Sequence, residues 1–510
     1  MRSFALVLVA LAAATCASGQ TAEPWTEVNS PHFSVVTDAG EKAGREVAVH
    51  FEQMREAFAQ LLLAGGKMQS SPVRIIAFRH KHAMNDFGLR LDQRESHAQR
   101  IVDSGDVVEE LDAVLEPATH RIYRIVGDQS VKEIYLHSED QDYVLINLGD
   151  RSDWKTIRHE YAHRLLERNF APLPRWFAEG VAEYYSTARI GKNKVMLGKL
   201  PKPTAAAARN NPWIPVAALF SAGEGGQEIS DHGAFNLESC LVFDYLIRTN
   251  KLGQAYSYSQ LYRQNTPVGD AIQRAFGMSS AELDRQVQSH GRQLASMSLA
   301  VEKPSEVFPV SPVAPLAVAA MLADVHLHEP GYHKTAVKEL NGVLEKDPGN
   351  SAALRGLALD KYRKFDIDGA MDLLRQALKR NPDDWLAHYY RARIMRKRDD
   401  PFQVKELEKE AREVVRLNPD FAEGYGMLGS ALASQGKNRE AAAAFETARS
   451  LEPSDDVHAA NLALVYLALD RRQEAREILV GLQNSKDLRF ANLAQSYLKS
   501  GAAPEVKMPR

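Results

Sequence analysis

Past residue 30 the chain alternates short apolar runs with longer stretches in which apolar residues return every three or four positions. The segment HFSVV, residues 32–36, has the make-up of a strand, and Val47, Phe51, Met54 and Phe58 lay one apolar stripe along a predicted helix from Glu41 to Leu63. PVRIIAF, ending at Phe78, returns to strand pattern, so the opening is strand, helix, strand, as in an α/β layer. Residues 90–130 are charged, with little periodicity. DYVLINLG, residues 142–149, is again a strand. Ile157, Tyr161 and Leu165 at four-residue steps predict a helix with Ser152 or Asp153 as its N-cap, and Pro174 opens another that buries Phe177 and Val181.

From about residue 312 the texture changes to helices rich in Ala and Leu, punctuated by Pro348, Pro382, Pro419 and Pro453. The steps are 382 − 348 = 34, 419 − 382 = 37 and 453 − 419 = 34 residues. That period resembles the tetratricopeptide repeat (TPR), with a three-residue insertion near Asp399-Asp400-Pro401. Tyr425, Leu428, Gly429, Leu432, Ala441, Phe445 and Ala448 occupy the small and large packing positions of that repeat. About five helix pairs are expected over 312–502, stacked into a solenoid because one pair cannot bury its apolar face alone. The groove of such a solenoid is a place for a protein partner, with a rigid spacer as the alternative.

A chain of 510 residues is too long for one core and predicts two or three domains. Its 63 basic and 66 acidic side chains, net −3, give no electrostatic reason to expect nucleic acid as a partner. The start, Met-Arg-Ser followed by an apolar run from Phe4 to Ala14 and small residues to Gly19, reads as a signal peptide over residues 1–19. The run is too short to span a bilayer, which needs ~20 residues, so no transmembrane segment is expected after cleavage. The chain is therefore expected to be exported, to a periplasm by default, with secretion or lipid anchoring through Cys16 as alternatives. Cys240, the other cysteine, is expected to pack within LESCLVFDYLI.

The candidate chemistry lies in SDWKTIRHEYAHRLLERN, residues 152–169. His159 and His163, four residues apart on a helix, point the same way one turn apart, so both imidazoles reach one Zn²⁺. Glu160 projects about 100° round, as suits a base acting on water rather than a ligand. In PLPRWFAEGVAEYYS, residues 172–186, Glu179 and Glu183 share a helix face. Glu179 can be the third ligand, leaving a fourth position open, and Glu183 can accept a hydrogen bond from a ligand histidine. A closed structural zinc site would need a fourth protein ligand instead.

HEYAH followed by WFAEGVAEYY resembles the gluzincin metallopeptidases, and with the HF strand start it is similar to the peptidase-MA-like bacterial proteins. The resemblance implies an α+β zincin-like metallopeptidase domain, a mixed sheet plus active-site helices, ahead of the all-α TPR solenoid. The sheet part would span 20–150 and the helical catalytic part 151–300. It implies one zinc per chain on His159, His163 and Glu179, Glu183 in support, Glu160 as general base, and a peptide or protein substrate. In that family an edge strand, here DYVLINLG, pairs with extended substrate, and a later helix supplies an oxyanion donor. SDHGAFNLESCLVFDYL has Phe235 and Asn236 where a Tyr is expected, which leaves His232, Tyr184 or Tyr185 for that role. The alternative is a catalytically silent, peptidase-like scaffold that acts through its TPR groove.

Overall fold

The computed structural model describes residues 24–63, 68–69, 73–80, 83–84, 87, 98–103, 106–112, 121–127, 130–138, 140–149, 154–202, 204–206, 212–222, 231–291, 295–304, 307–329, 332–398, 403–483, 485 and 487–500. The expected signal peptide with Cys16, and the expected caps Ser152 and Asp153, lie outside the described residues.

Two parallel pairings lie at the centre of the N-terminal sheet. β1 (Thr26–Asn29) and β2 (Phe33–Thr37) are antiparallel, and α1 (Glu41–Leu62) then carries the chain over to β3 (Val73–Phe78), which runs parallel to β2 with Phe33 opposite Val73. β4 (Ala98–Asp103), β5 (Asp106–Asp112), β6 (Arg121–Gly127), β7 (Ser130–His137) and β8 (Asp142–Asn147) follow as an antiparallel meander, and β8 closes back parallel to β3. β9 (Arg189–Ile190), β10 (Lys194–Leu197) and β11 (Met297–Ala300) make a small second sheet. β12 (Val310–Pro312) completes the large one, whose order is β12-β1-β2-β3-β8-β7-β6-β5-β4.

Two expectations change here. Residues 90–130 contain β4 to β6, which period-2 reading misses because apolar residues come in adjacent pairs, Ile101-Val102 and Val107-Val108, instead of alternating. β8 is not an edge: it is bonded to β3 on one side and β7 on the other, and all six of its residues are buried. A substrate strand cannot add to it. Burial on both faces is also why β3 and β8 read as nearly continuous apolar runs.

One face of the sheet is covered by α1, through Val47, Phe51, Met54 and Phe58, and by the helices that carry the candidate chemistry, α2 (Lys155–Asn169) and α3 (Arg175–Ser186). Phe33 meets Phe51 and Tyr161 at centroid distances of 5.3 and 5.7 Å, joining β2, α1 and α2 in one core. α4 (Val216–Ser221), α5 (His232–Arg248), α6 (Leu252–Arg263), α7 (Val268–Phe276) and α8 (Ser280–Gly291) complete this domain.

The rest is helical. Five antiparallel pairs and a last helix follow: α9 (Pro315–Leu327) with α10 (His333–Lys346), α11 (Ser351–Arg363) with α12 (Ile367–Arg380), α13 (Trp385–Arg398) with α14 (Val404–Leu417), α15 (Ala422–Ser434) with α16 (Asn438–Leu451), α17 (Asp456–Ala468) with α18 (Arg472–Leu482), then α19 (Leu488–Ser500). Gly429 shows why small residues recur: a Cβ there would lie 2.8 Å from the Phe445 ring across the α15–α16 contact. The boundary near 312 is shared instead of linked. β12 belongs to the sheet, and α9, the first solenoid helix, buries Val318, Met321 and Val325 against Val36, Ile76 and Leu145 on the sheet's other face. No helix among the described residues is long and apolar enough to cross a membrane.

Candidate metal centre

The N-cap residue of α2, Trp154, makes no side-chain cap. It lies in the left-handed region, φ 51°, packed on His50 and Phe51, and the first-turn amide of Thr156 donates at 3.1 Å to Glu133, a buried carboxylate on β7. A carboxylate from the sheet thus satisfies a first-turn amide of α2 and fixes the helix start to the sheet. Ile157, Tyr161 and Leu165 are at most 1 % exposed, which turns His159 and His163 towards α3.

α3 is held close by a glycine. A Cβ on Gly180 would fall 2.5 Å from the Ser239 carbonyl of α5, so no larger residue permits this approach. The residue before it, Glu179, reaches between the histidines. His159 Nε2 and His163 Nε2 are 3.2 Å apart, and Glu179 Oε2 stands 3.5 Å from the first and 3.6 Å from the second. Tetrahedral Zn²⁺ with ligands at about 2.0–2.1 Å separates its donor atoms by about 3.3–3.4 Å. The three edges of this triangle fit that requirement, and the donor set, two imidazoles and a carboxylate, suits a catalytic zinc.

Behind the triangle, Glu183 Oε2 lies 3.4 Å from His159 Nδ1, and its other oxygen lies 3.1 Å from Lys155 Nζ. This carboxylate sets the imidazole tautomer with the proton on Nδ1, which leaves Nε2 as a donor to metal. Burial opposes charge on His159, but hydrogen bonds to the Glu179 and Glu183 carboxylates outweigh it and raise its pKa well above the ordinary value. Burial likewise opposes charge on Glu179, and His163 and His159 reverse the effect, holding it well below the usual carboxylate range. The histidines and carboxylates of the cluster thus favour each other's charged forms. Glu160, 7 % exposed, follows His159 on α2, near enough for its charge to act on that ring.

Of the three expected oxyanion donors, the structure turns two away. Tyr185 is fully buried against Phe58, its hydroxyl donating to the Met54 carbonyl of α1. Tyr184 is fully buried against Phe243 and under Gly198. Both complete the apolar stripe of Phe177 and Val181, and neither joins the ligand triangle. His232 opens α5, with Asp231 as N-cap and its Nδ1 3.2 Å from the guanidinium of Arg175, one turn before Glu179 on α3. Phe235 packs under the same guanidinium at 4.9 Å. Cys240 is 2 % exposed, and burial pushes its thiol pKa well up, as expected of a packing residue.

Sequence reading missed Lys155, although it sits one turn before His159 on the same face, and Arg175. It also missed a second group whose donor atoms lie within 4.8 Å of one another, Glu452, Asp455 and His458, where Arg164 of α2 already pairs with Glu452 at 3.0 Å.

Residues 355–401 and 408–481 match the tetratricopeptide repeat family. Solved structures similar to the chain include YrrB, described as a TPR protein with an unusual peptide-binding site, at 21% identity over 35% of this chain and 90% of that one, TM-score 0.31. A thermophilic TPR protein from Thermus thermophilus matches at 21% identity over 36% of this chain and 99% of that one, TM-score 0.28. MamA of Desulfovibrio magneticus matches at 18% identity over 36% and 97%, TM-score 0.29. No curated protein matches the chain. The C-terminal region is thus a tetratricopeptide-repeat solenoid, following an N-terminal domain built on a mixed sheet.

Proposed function

We propose that this chain is an exported zinc-dependent peptidase of the gluzincin type, whose repeat region brings protein partners or substrates to the catalytic domain. The observation that carries the reading is the triangle of His159 Nε2, His163 Nε2 and Glu179 Oε2, with edges of 3.2, 3.5 and 3.6 Å. These three residues would hold the metal. When bound, zinc supplies Lewis acidity that makes water a nucleophile near neutral pH and polarises a peptide carbonyl. Glu160 takes the proton from the attacking water and returns it to the leaving amine. Glu183 and Lys155 hold the His159 tautomer through both steps. His232, beside Arg175, is the group left to donate to the developing oxyanion. Because β8 is interior, extended substrate must pair elsewhere than on that strand.

A second reading has its own support. With Tyr184 and Tyr185 committed to the core, the domain can hold metal without turnover and serve as a scaffold through its repeats. Metal content and hydrolysis of an unfolded protein such as casein separate the two. The peptidase reading expects one zinc per chain, lost in Glu179→Ala, and a Glu160→Gln variant that keeps zinc while hydrolysis falls about 10²–10⁴-fold. Zinc without hydrolysis in the wild type establishes the scaffold, and a wild type without zinc removes both.

A further inference from the structure

Where the solenoid meets the sheet, a cavity of about 180 Å³ lies between the C-terminal turn of α2 and the repeat loops. Its wall includes Arg74 of β3, Arg164 and Arg168 of α2, and, from the repeats, Trp385, Asn418 and Phe421. Two acids line it as well, but both are engaged. Asp142 accepts from Arg164 Nε at 3.1 Å, and Asp140 is held by Ser138, Tyr390 and His328. Arg164 is also paired with Glu452, at 3.0 Å.

Arg168 has no such partner. It is 3 % exposed, its Nε is buried without a hydrogen bond, and its guanidinium reaches a backbone carbonyl, that of Asp420, only at 3.5 Å. Arg74 Nε is also buried and unpaired, and the head of that side chain is 4.0 Å from Glu27. Burial, and then repulsion from Arg164, lower the pKa of Arg168 by more than the Glu452, Asp142 and Glu167 carboxylates, none of them within ion-pair distance, raise it. A guanidinium taken out of water without a partner costs several kcal/mol, and an anion seated beside it offsets that cost. The flat fork of donors on arginine matches two oxygens of one carboxylate or phosphate.

We propose that this inter-domain cavity is a binding site for a small oxyanion, a carboxylate or phosphate group, held by Arg168 and Arg74 with Trp385 and Phe421 as its apolar wall. The site stands apart from the His159 triangle and does not depend on the peptidase reading. Its occupant would bridge α2 and the repeats, and so would tighten the joint between the two regions.

The test is calorimetric titration and thermal melting of the full mature chain in chloride buffer of fixed ionic strength. The probes are inorganic phosphate, N-acetyl-leucine and, as a neutral control, N-acetyl-leucine amide. At least one anion is expected to bind with Kd below about 1 mM and to raise the melting temperature, while the amide does neither. Tighter binding of phosphate assigns a phosphate-bearing ligand, and tighter binding of N-acetyl-leucine assigns a carboxylate attached to an apolar group. Arg168→Met and Arg74→Met are each expected to weaken binding more than about tenfold. Arg168→Met alone should melt no lower than wild type without anion, since it removes an unpaired buried charge. The proposal is overturned if neither anion binds, if the amide binds as well as the acid, or if both variants bind like wild type.

Discussion

The two sides of α2 are built from similar residue types and have opposite electrostatic outcomes. Towards α3, His159, His163 and Glu179 converge with their donor atoms 3.2–3.6 Å apart, an arrangement that asks for a cation. Towards the sheet and the repeats, Arg164 is neutralised three ways, by Asp142 at 3.1 Å, Glu452 at 3.0 Å and Glu167 at 3.4 Å, and Ser454 donates to the Glu167 carbonyl. A buried charge network that closes on itself holds a structure together. One that converges on a point and stays open is a candidate for binding an ion.

The largest effect should come from breaking the closed side. Arg164→Ala removes the guanidinium that pairs with Asp142, whose side chain is 2 % exposed, between the sheet and the solenoid. Removing one partner of a buried pair typically costs about 3–5 kcal/mol. Chemical denaturation should show a loss of that size, with zinc content per folded chain unchanged. A drop in metal content at full folding would mean that the two sides of α2 are not separable.

Much of this was legible from residue order, and what was not has identifiable causes. Helical periodicity puts His159 and His163 one turn apart and Glu179 on a second helix with its own apolar stripe, whereas the pairing of the two helices was implied by the resemblance and not by the period. The same periodicity, taken further, places Tyr185 in the core: Phe177, Val181 and Tyr185 are four residues apart, so Tyr185 continues a buried stripe and is turned from the site. β8 had a comparable signal, since DYVLIN lacks the alternation of a strand with one wet face. The repeats were readable because each helix pair packs on its neighbours in sequence. The joint between domains was not, because Arg164 and Glu452 are brought together only by the tertiary fold, and nothing local marks Glu133 as the partner of the α2 amides.

The open side is sharpened by a milder change. Glu183→Gln keeps the shape of the side chain but removes the charge that faces His159 Nδ1 at 3.4 Å and Lys155 at 3.1 Å. Groups that orient a ligand histidine typically contribute 10–100-fold to metal affinity, and a loss in that range is expected in competition with a zinc chelator. Unchanged affinity would reduce Glu183 to a partner of Lys155.

The smallest effect expected is a dependence on pH at the other end of the same joint. His328, after α9, faces Asp140 at 3.4 Å and Asp324 at 4.0 Å, with Arg363 opposing from α11. Burial lowers its pKa, and Asp140 and then Asp324 more than reverse that, so the folded value lies above the ordinary one. A raised pKa means that folding binds the proton more tightly, so the stabilisation is complete below about pH 6.5, the unfolded value, and is lost as pH rises through the folded value. Asp140, pushed well below its usual range, makes the opposite contribution: present above about pH 4 and lost in strong acid. The melting temperature of the full chain should therefore fall as pH is raised from 6 towards 9. In the double variant Asp140→Asn/His328→Gln, neutral on both sides and of similar shape, that decline should be shallower. An identical decline in the variant would place the pH sensitivity elsewhere and leave this pair as hydrogen bonding alone.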